Sequence, residues 1–171
     1  MRFKHRTLII LAGLVWVAIG ALLLSLGIHF ILEALRHPEL AYIPGRFSVL
    51  AFFDRYVSDR ANAVILVVTV ALMIGYFKGK MVLSKSVHRQ IRRIESLPNP
   101  GPLKHLYSKG YYMLIAGMIL LGVSLRFWPI TVDTRGAIDL AIGSALINGA
   151  MLYFRVLARQ AYLEKKGNPS L

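Results

Sequence analysis

One stretch of 26 residues, from Thr7 to Leu32, contains no Asp, Glu, Lys or Arg. An α-helix of that length rises about 39 Å, which exceeds the hydrocarbon core of a bilayer at about 30 Å. A short basic segment precedes the stretch, and no small-residue cleavage site follows it. We therefore interpret it as a retained membrane helix and not as a cleaved signal peptide.

Three further apolar runs follow at residues 61–77, 107–128 and 137–154. Each is long enough, or nearly so, to cross a bilayer as a helix. The apolar piece at 46–57 is too short to span, so we predict a segment that lies on the outer surface or re-enters the membrane. The sequence thus predicts an all-α, polytopic integral membrane protein of one domain, residues 1–171, in which four transmembrane helices form a bundle of two hairpins.

The stretch Lys78–Lys109 contains eight Lys and Arg against a single acid, Glu95. Both ends of the chain are also basic, whereas the connections within the two hairpins are balanced. Short loops rich in Lys and Arg stay in the cytoplasm, so we predict that both termini and the segment 78–106 face the cytoplasm, in a bacterial inner membrane. Topology then explains the net charge of +13. No recognition motif for nucleic acid accompanies that charge, so nucleic acid is not an expected partner.

The basic segment begins as a predicted amphipathic extension of the second helix. Val87, Ile91 and Ile94 recur along one face, and a basic row offset by two residues follows the opposite face. Such a row suits anionic lipid headgroups or an acidic partner protein, and the plainer interpretation is that it only fixes topology. The headgroup or partner candidates are Lys85, Arg89, Arg92 and Arg93.

The two halves of the chain resemble each other weakly. Each is a hairpin followed by a basic segment, and the second run ends in Tyr76-Phe77-Lys78 where the fourth ends in Tyr153-Phe154-Arg155. This pattern favours a parallel internal repeat about an axis along the membrane normal. The alternative is that four apolar helices with aromatic and basic ends look alike by composition alone.

Small residues form two regular stripes. One stripe recurs every seven residues on the first helix, and the other recurs every four residues on the fourth. Small side chains let helix backbones approach closely in lipid, so the stripes predict packing within the monomer, with a homodimer interface as the alternative. The helix-packing candidates are Gly13, Gly20, Gly27, Ala137, Ala141, Ala145 and Gly149.

His29, Glu33 and His37 are spaced by four and would follow one face at the outer end of the first helix. Imidazoles and a carboxylate one turn apart suit a divalent metal or proton transfer. Pro38 favours a helix that ends near His37, and the alternative is an interfacial ion pair between Glu33 and His37. The chain has no cysteine, which excludes disulfides and thiolate metal sites, and no cofactor is expected.

Polar residues in the second hairpin are candidates for a solute path. Asn148 lies near the middle of the fourth run with Ser144 one turn away, and a polar group at that depth usually faces the protein interior. Asp139 and Arg126 would lie nearer the outer surface. Asp54, Asp59 and Asp133 are also expected there, paired with arginines or forming a vestibule for cations.

The sequence contains no phosphate-binding glycine loop, no Gly-x-Ser-x-Gly and no His-Glu-x-x-His, so an enzyme is not indicated. We predict a small membrane transport or channel-like protein that binds or passes a small solute or ion between the two hairpins. The alternative is an accessory or scaffold protein that does not transport and that docks anionic lipid or a partner through its basic helix.

Overall fold

The computed structural model describes residues 2–3, 5–96, 101–102, 116–117, 120, 122–125 and 127–167. The described chain is helical apart from turns, loops and one short antiparallel pair of strands, β1 and β2. The elements are β1 Arg2–Phe3, α1 His5–Arg36, a 3-10 turn Pro38–Leu40, α2 Val49–Phe53, α3 Arg60–Lys78, a π-helical turn Gly79–Leu83, α4 Ser84–Glu95, β2 Gly101–Pro102 and α5 Val132–Lys165.

Three helices of the described chain are long and apolar enough to cross a membrane: His5–Arg36, Arg60–Met81 and Val132–Tyr162. This confirms the prediction of an all-helical chain with several helices able to span a bilayer. The third predicted run, 107–128, lies mostly outside the described residues. The arrangement of four helices in two hairpins therefore stays a prediction.

The helix ends follow local chemistry. Pro38 disfavours helical geometry at the residue before it, and His37 accordingly leaves the helix with φ −120° and ψ 82°. α3 begins after Asp59, whose extended backbone and side chain form an N-cap, with the Ala61 N–H donating to Oδ1 at 3.2 Å. The segment predicted at 46–57 contains the short helix α2, whose N-cap is Ser48.

Glycines bring α1 and α5 together in antiparallel contact. A Cβ atom placed on Gly27 would lie 2.8 Å from the carbonyl oxygen of Gly136, and one on Gly20 would lie 3.0 Å from that of Gly143. Gly13 faces Tyr153 in the same way, with 3.2 Å to its Cβ. The stripe with a period of seven on α1 therefore lies in the α1–α5 interface.

The alanine stripe of α5 meets α3, which runs parallel to it. A Cβ on Gly75 would overlap the carbonyl oxygen of Ala141, and one on Gly79 would lie 2.7 Å from that of Ala145. Ala137 and Ala141 pack against buried apolar side chains of α1 and α3. Gly149 faces Leu83 and Trp16. α5 is thus the helix that contacts both of the others along its length.

In the described part of the chain, two apolar clusters occupy the two ends of the bundle. We call the end that holds α4 the basic end and the end that holds residues 37–59 the connection end. At the basic end the cluster includes side chains from α1, α4 and α5, which are Leu8, Ile9, Ala12, Trp16, Val87, Ile91, Leu146, Ala150 and Tyr153. At the connection end it includes Ile31, Ala34, Ala41, Leu50, Ala63, Val64, Val67, Ala71 and Leu140.

Candidate functional site

A buried carboxylate joins the connection between α1 and α3 to the start of α5. Asp133 is only 1% exposed, and its Oδ2 accepts hydrogen bonds from the Ser48 hydroxyl at 2.9 Å and the Leu50 N–H at 2.8 Å. Its position in the first turn of α5 also lets it interact favourably with the helix dipole. We call these contacts, together with those that Thr131 and Thr134 make to residues 47–49, the polar lock.

Two threonines complete the polar lock. The hydroxyls of Thr131 and Thr134 donate to the Phe47 carbonyl oxygen at 2.9 and 3.0 Å, and the Val49 N–H donates to the Thr134 hydroxyl at 3.0 Å. Backbone bonds from Phe47 to Pro129 and from Thr131 to Phe47 reinforce them. The N–H groups of Phe47, Val49 and Leu50 and the carbonyl oxygen of Phe47 therefore bond to α5 or to the residues just before it.

The acids of the connection end bond differently from the expected arginine pairs. Asp133 bonds to Ser48, Asp59 caps α3, and Asp54 accepts a hydrogen bond from the Tyr42 hydroxyl. That bond is the main cause of a raised pKa for the Tyr42 phenol, because it stabilises the protonated form, and burial adds to it. Arg60 contacts the ring of Tyr42, with its guanidinium carbon 5.3 Å from the ring centroid.

The metal or proton candidates do not converge. His29 and Glu33 lie on the same helix face with 4.0 Å between Nε2 and Oε2, while His37 lies beyond the end of α1 and its Nδ1 is 3.1 Å from Oε1 of Glu39. Within the described chain, no group of three or more His, Asp or Glu side chains is placed to hold a metal ion.

The solute-path candidates bond to helix backbones. The Asn148 side-chain amide donates to the Ser144 carbonyl oxygen in its own helix at 2.9 Å, and the Ser144 hydroxyl donates to the Leu72 carbonyl oxygen of α3 at 3.2 Å. Asp139 is buried, at 8% exposure, one turn beyond Arg135. Arg126 lies outside the described residues.

The headgroup candidates lie on the open side of α4. Val87 and Ile91 are 0% and 4% exposed because they pack into the cluster at the basic end; the Ile94 side chain lies outside the described set. On the opposite side an open groove of about 570 Å³ runs along the helix, and Arg93 is exposed beside it. We call it the basic groove; it is lined by Ser84, Lys85, His88, Arg89 and Arg92.

The basic groove concentrates positive charge. Lys85, Arg89 and Arg92 span seven positions, which corresponds to about 10.5 Å of axial rise. In the described part of the chain, none of the three is paired with a carboxylate. His88 is held by a hydrogen bond of 2.7 Å between its Nδ1 and the Ser84 carbonyl oxygen. Only a protonated nitrogen can donate to a carbonyl, so in the neutral ring Nε2 carries a lone pair and accepts hydrogen bonds.

Neither a protein-family model, nor a curated protein, nor a solved structure matches this chain.

Proposed function

We propose that this chain is a small integral membrane protein that binds anionic lipid headgroups through the basic groove. One observation carries the proposal: α4 buries Val87 and Ile91 against its own bundle and leaves a row of cations in an open groove on the other side. An amphipathic helix whose apolar face is already covered does not insert that face into lipid. Its contribution to binding therefore comes from its charges.

The depth of the groove supports a lipid ligand. Val87 and Ile91 pack in the same cluster as Leu8, Ala12 and Trp16, which belong to the first half of the uncharged stretch of α1. The groove therefore lies beside the beginning of that stretch, where a membrane boundary is expected. Lys and Arg near such a boundary attract anionic headgroups by about 1 kcal/mol each.

The proposal includes the predicted orientation, with four helices in two hairpins and with both termini, α4 and the groove on the cytoplasmic side of a bacterial inner membrane. The excess of Lys and Arg in and around α4 supports it. Because the chain has no cysteine, a single one introduced at Ser96 reports sidedness directly. We expect a membrane-impermeant thiol reagent to label it only from the cytoplasmic face; labelling only from the opposite face would contradict the orientation.

Headgroup binding predicts a charge-dependent affinity for phosphatidylglycerol over phosphatidylcholine. Native mass spectrometry of the purified protein, titrated with each lipid, measures it. At about 1 kcal/mol per cation, each of Lys85→Gln, Arg89→Gln and Arg92→Gln should weaken phosphatidylglycerol binding about fivefold. Glutamine keeps helix propensity close to that of lysine and arginine, so α4 should remain folded.

The matched control is Arg159→Gln, which removes one positive charge from an exposed position on α5 outside the groove. We expect it to change phosphatidylglycerol binding less than twofold. Equal affinity for the two lipids, or a triple groove variant that binds like the unaltered protein, would contradict lipid binding. Specific retention of an acidic protein instead of lipid would favour the scaffold role.

Transport of a small solute or ion between the hairpins is a second candidate. Buried Asp139, within the apolar helix Val132–Tyr162, favours it, because an ionisable group inside a membrane span usually serves a function. Proton or cation flux into liposomes, compared between the unaltered protein and Asp139→Asn, tests it. The absence of any flux above that of empty liposomes would remove this candidate.

A further inference from the structure

We infer that the ligand of the basic groove carries two phosphates joined by a short linker, as in the headgroup of cardiolipin. This inference rests on the proposed headgroup binding and specifies its chemistry. The three cations are distributed over about 10.5 Å of the axis of α4, which is longer than a single phosphate group.

The cations are arranged as a row and not as a ring. Lys85 and Arg89 are separated by about 6 Å of axial rise, and Arg89 and Arg92 by a further 4.5 Å. One phosphate can be held by neighbouring members of this row. To reach all three cations it would require long side chains from both ends of the row to converge, and ordering such side chains costs conformational entropy.

The donors along the groove divide into two sets. At its beginning the Ser84 hydroxyl and the Lys85 ammonium belong to adjacent residues. At its far end lie the guanidinium groups of Arg89 and Arg92, which suit bidentate contact with phosphate oxygens. Each set can bind one phosphate, and together the three fixed positive charges exceed the two negative charges of a headgroup with two phosphodiesters.

The groove is open, and all the residues that line it in the described chain belong to α4, so a ligand larger than one phosphate can extend along the helix. When one phosphate is bound, the linker presents the second to the other donor set at high effective concentration. The joined headgroup should therefore bind more tightly than two separate lipids of the same total charge.

The test compares cardiolipin with phosphatidylglycerol at equal phosphate content, in nanodiscs or by native mass spectrometry. We expect cardiolipin to bind at least about tenfold more tightly per phosphate. Lys85→Gln and Arg92→Gln, at the two ends of the row, should each reduce that preference to less than about threefold. Arg159→Gln, outside the groove, should leave it intact. Circular dichroism of each variant checks that the helices are retained.

The outcomes separate this inference from the proposed function. Equal affinity per phosphate for the two lipids, with both above phosphatidylcholine, would overturn the two-phosphate ligand and keep anionic lipid binding. No preference for either lipid over phosphatidylcholine would overturn both. Inorganic pyrophosphate tests whether the ligand is a soluble molecule and not a lipid. If micromolar pyrophosphate displaced cardiolipin, the groove would be assigned to a soluble bisphosphate.

Discussion

Replacing Gly75 with leucine is expected to force α3 away from α5 and to lower the stability of the packed bundle substantially. Even a Cβ atom at this position would overlap the carbonyl oxygen of Ala141 and would lie 2.7 Å from the Cβ of Ser144. The obstacle is helix backbone, which cannot change rotamer, so the two helices must move apart. Overpacking of a close interface costs about 1–3 kcal/mol and sometimes more, and we expect Gly75→Leu to cost about 3 kcal/mol or more.

Trp16 provides the measurement. It is 3% exposed and packs near Tyr153 with 6.5 Å between ring centroids, whereas Trp128 is 64% exposed, so the Trp128→Phe background isolates its fluorescence. Thermal unfolding in detergent, followed by this signal, should show a Tm lower by about 6–12 °C for a loss of 3 kcal/mol.

The control is Gly122→Leu, at a glycine around which a Cβ would meet no atom of the described residues within 4 Å. This variant should unfold within about 2 °C of its background, since a leucine there requires no described neighbour to move and helix propensity improves. An equal Tm for Gly75→Leu and Gly122→Leu would show that α3 and α5 do not pack through Gly75.

The parts of the fold that depend on periodicity are readable from the sequence. The absence of charge from Thr7 to Leu32 predicts a spanning helix, and α1 contains that stretch. The two-residue offset between Val87 and Lys85 predicts which side of α4 is apolar, and Val87 is buried while Lys85 is exposed. Both features follow from helix geometry along a single segment, so they need no knowledge of distant contacts.

The contacts that depend on distant segments could not be predicted. Asp133 bonds to Ser48 across 85 positions, and the sequence offers several arginines as more obvious partners. Thr131 and Asp133 just before an apolar run do signal a helix start, but that signal does not identify the loop they hold. Pro38 ends α1 before His37, as the sequence favours, but the His37 Nδ1 then lies 3.1 Å from Oε1 of Glu39 instead of pairing with the predicted Glu33.

Replacing Asp133 with alanine is the second change for which we expect a large effect. The variant loses two hydrogen bonds to a charged carboxylate and leaves the buried Leu50 N–H without its acceptor. Hydrogen bonds to charged groups contribute about 1.5–3 kcal/mol each, and a buried unpaired donor costs about 1–3 kcal/mol. In the described chain the other carboxylate oxygen of Asp133, Oδ1, is buried without a hydrogen bond. Removing this unpaired oxygen is favourable and offsets part of the lost stability. We expect a net destabilisation of about 2–4 kcal/mol.

Two comparisons identify the lost contact as the cause. Asp59→Ala removes an exposed N-cap carboxylate and should cost only about 1 kcal/mol, while Asp133→Asn keeps an oxygen that can accept from Ser48 and Leu50 and should recover most of the stability. Because Ser48→Ala removes one donor of the same network, the double variant Ser48→Ala/Asp133→Ala should be less destabilised than the sum of the single changes, by about 0.5–3 kcal/mol. Additive effects, or an Asp133→Ala variant as stable as Asp59→Ala, would mean that the polar lock does not hold the connection against α5.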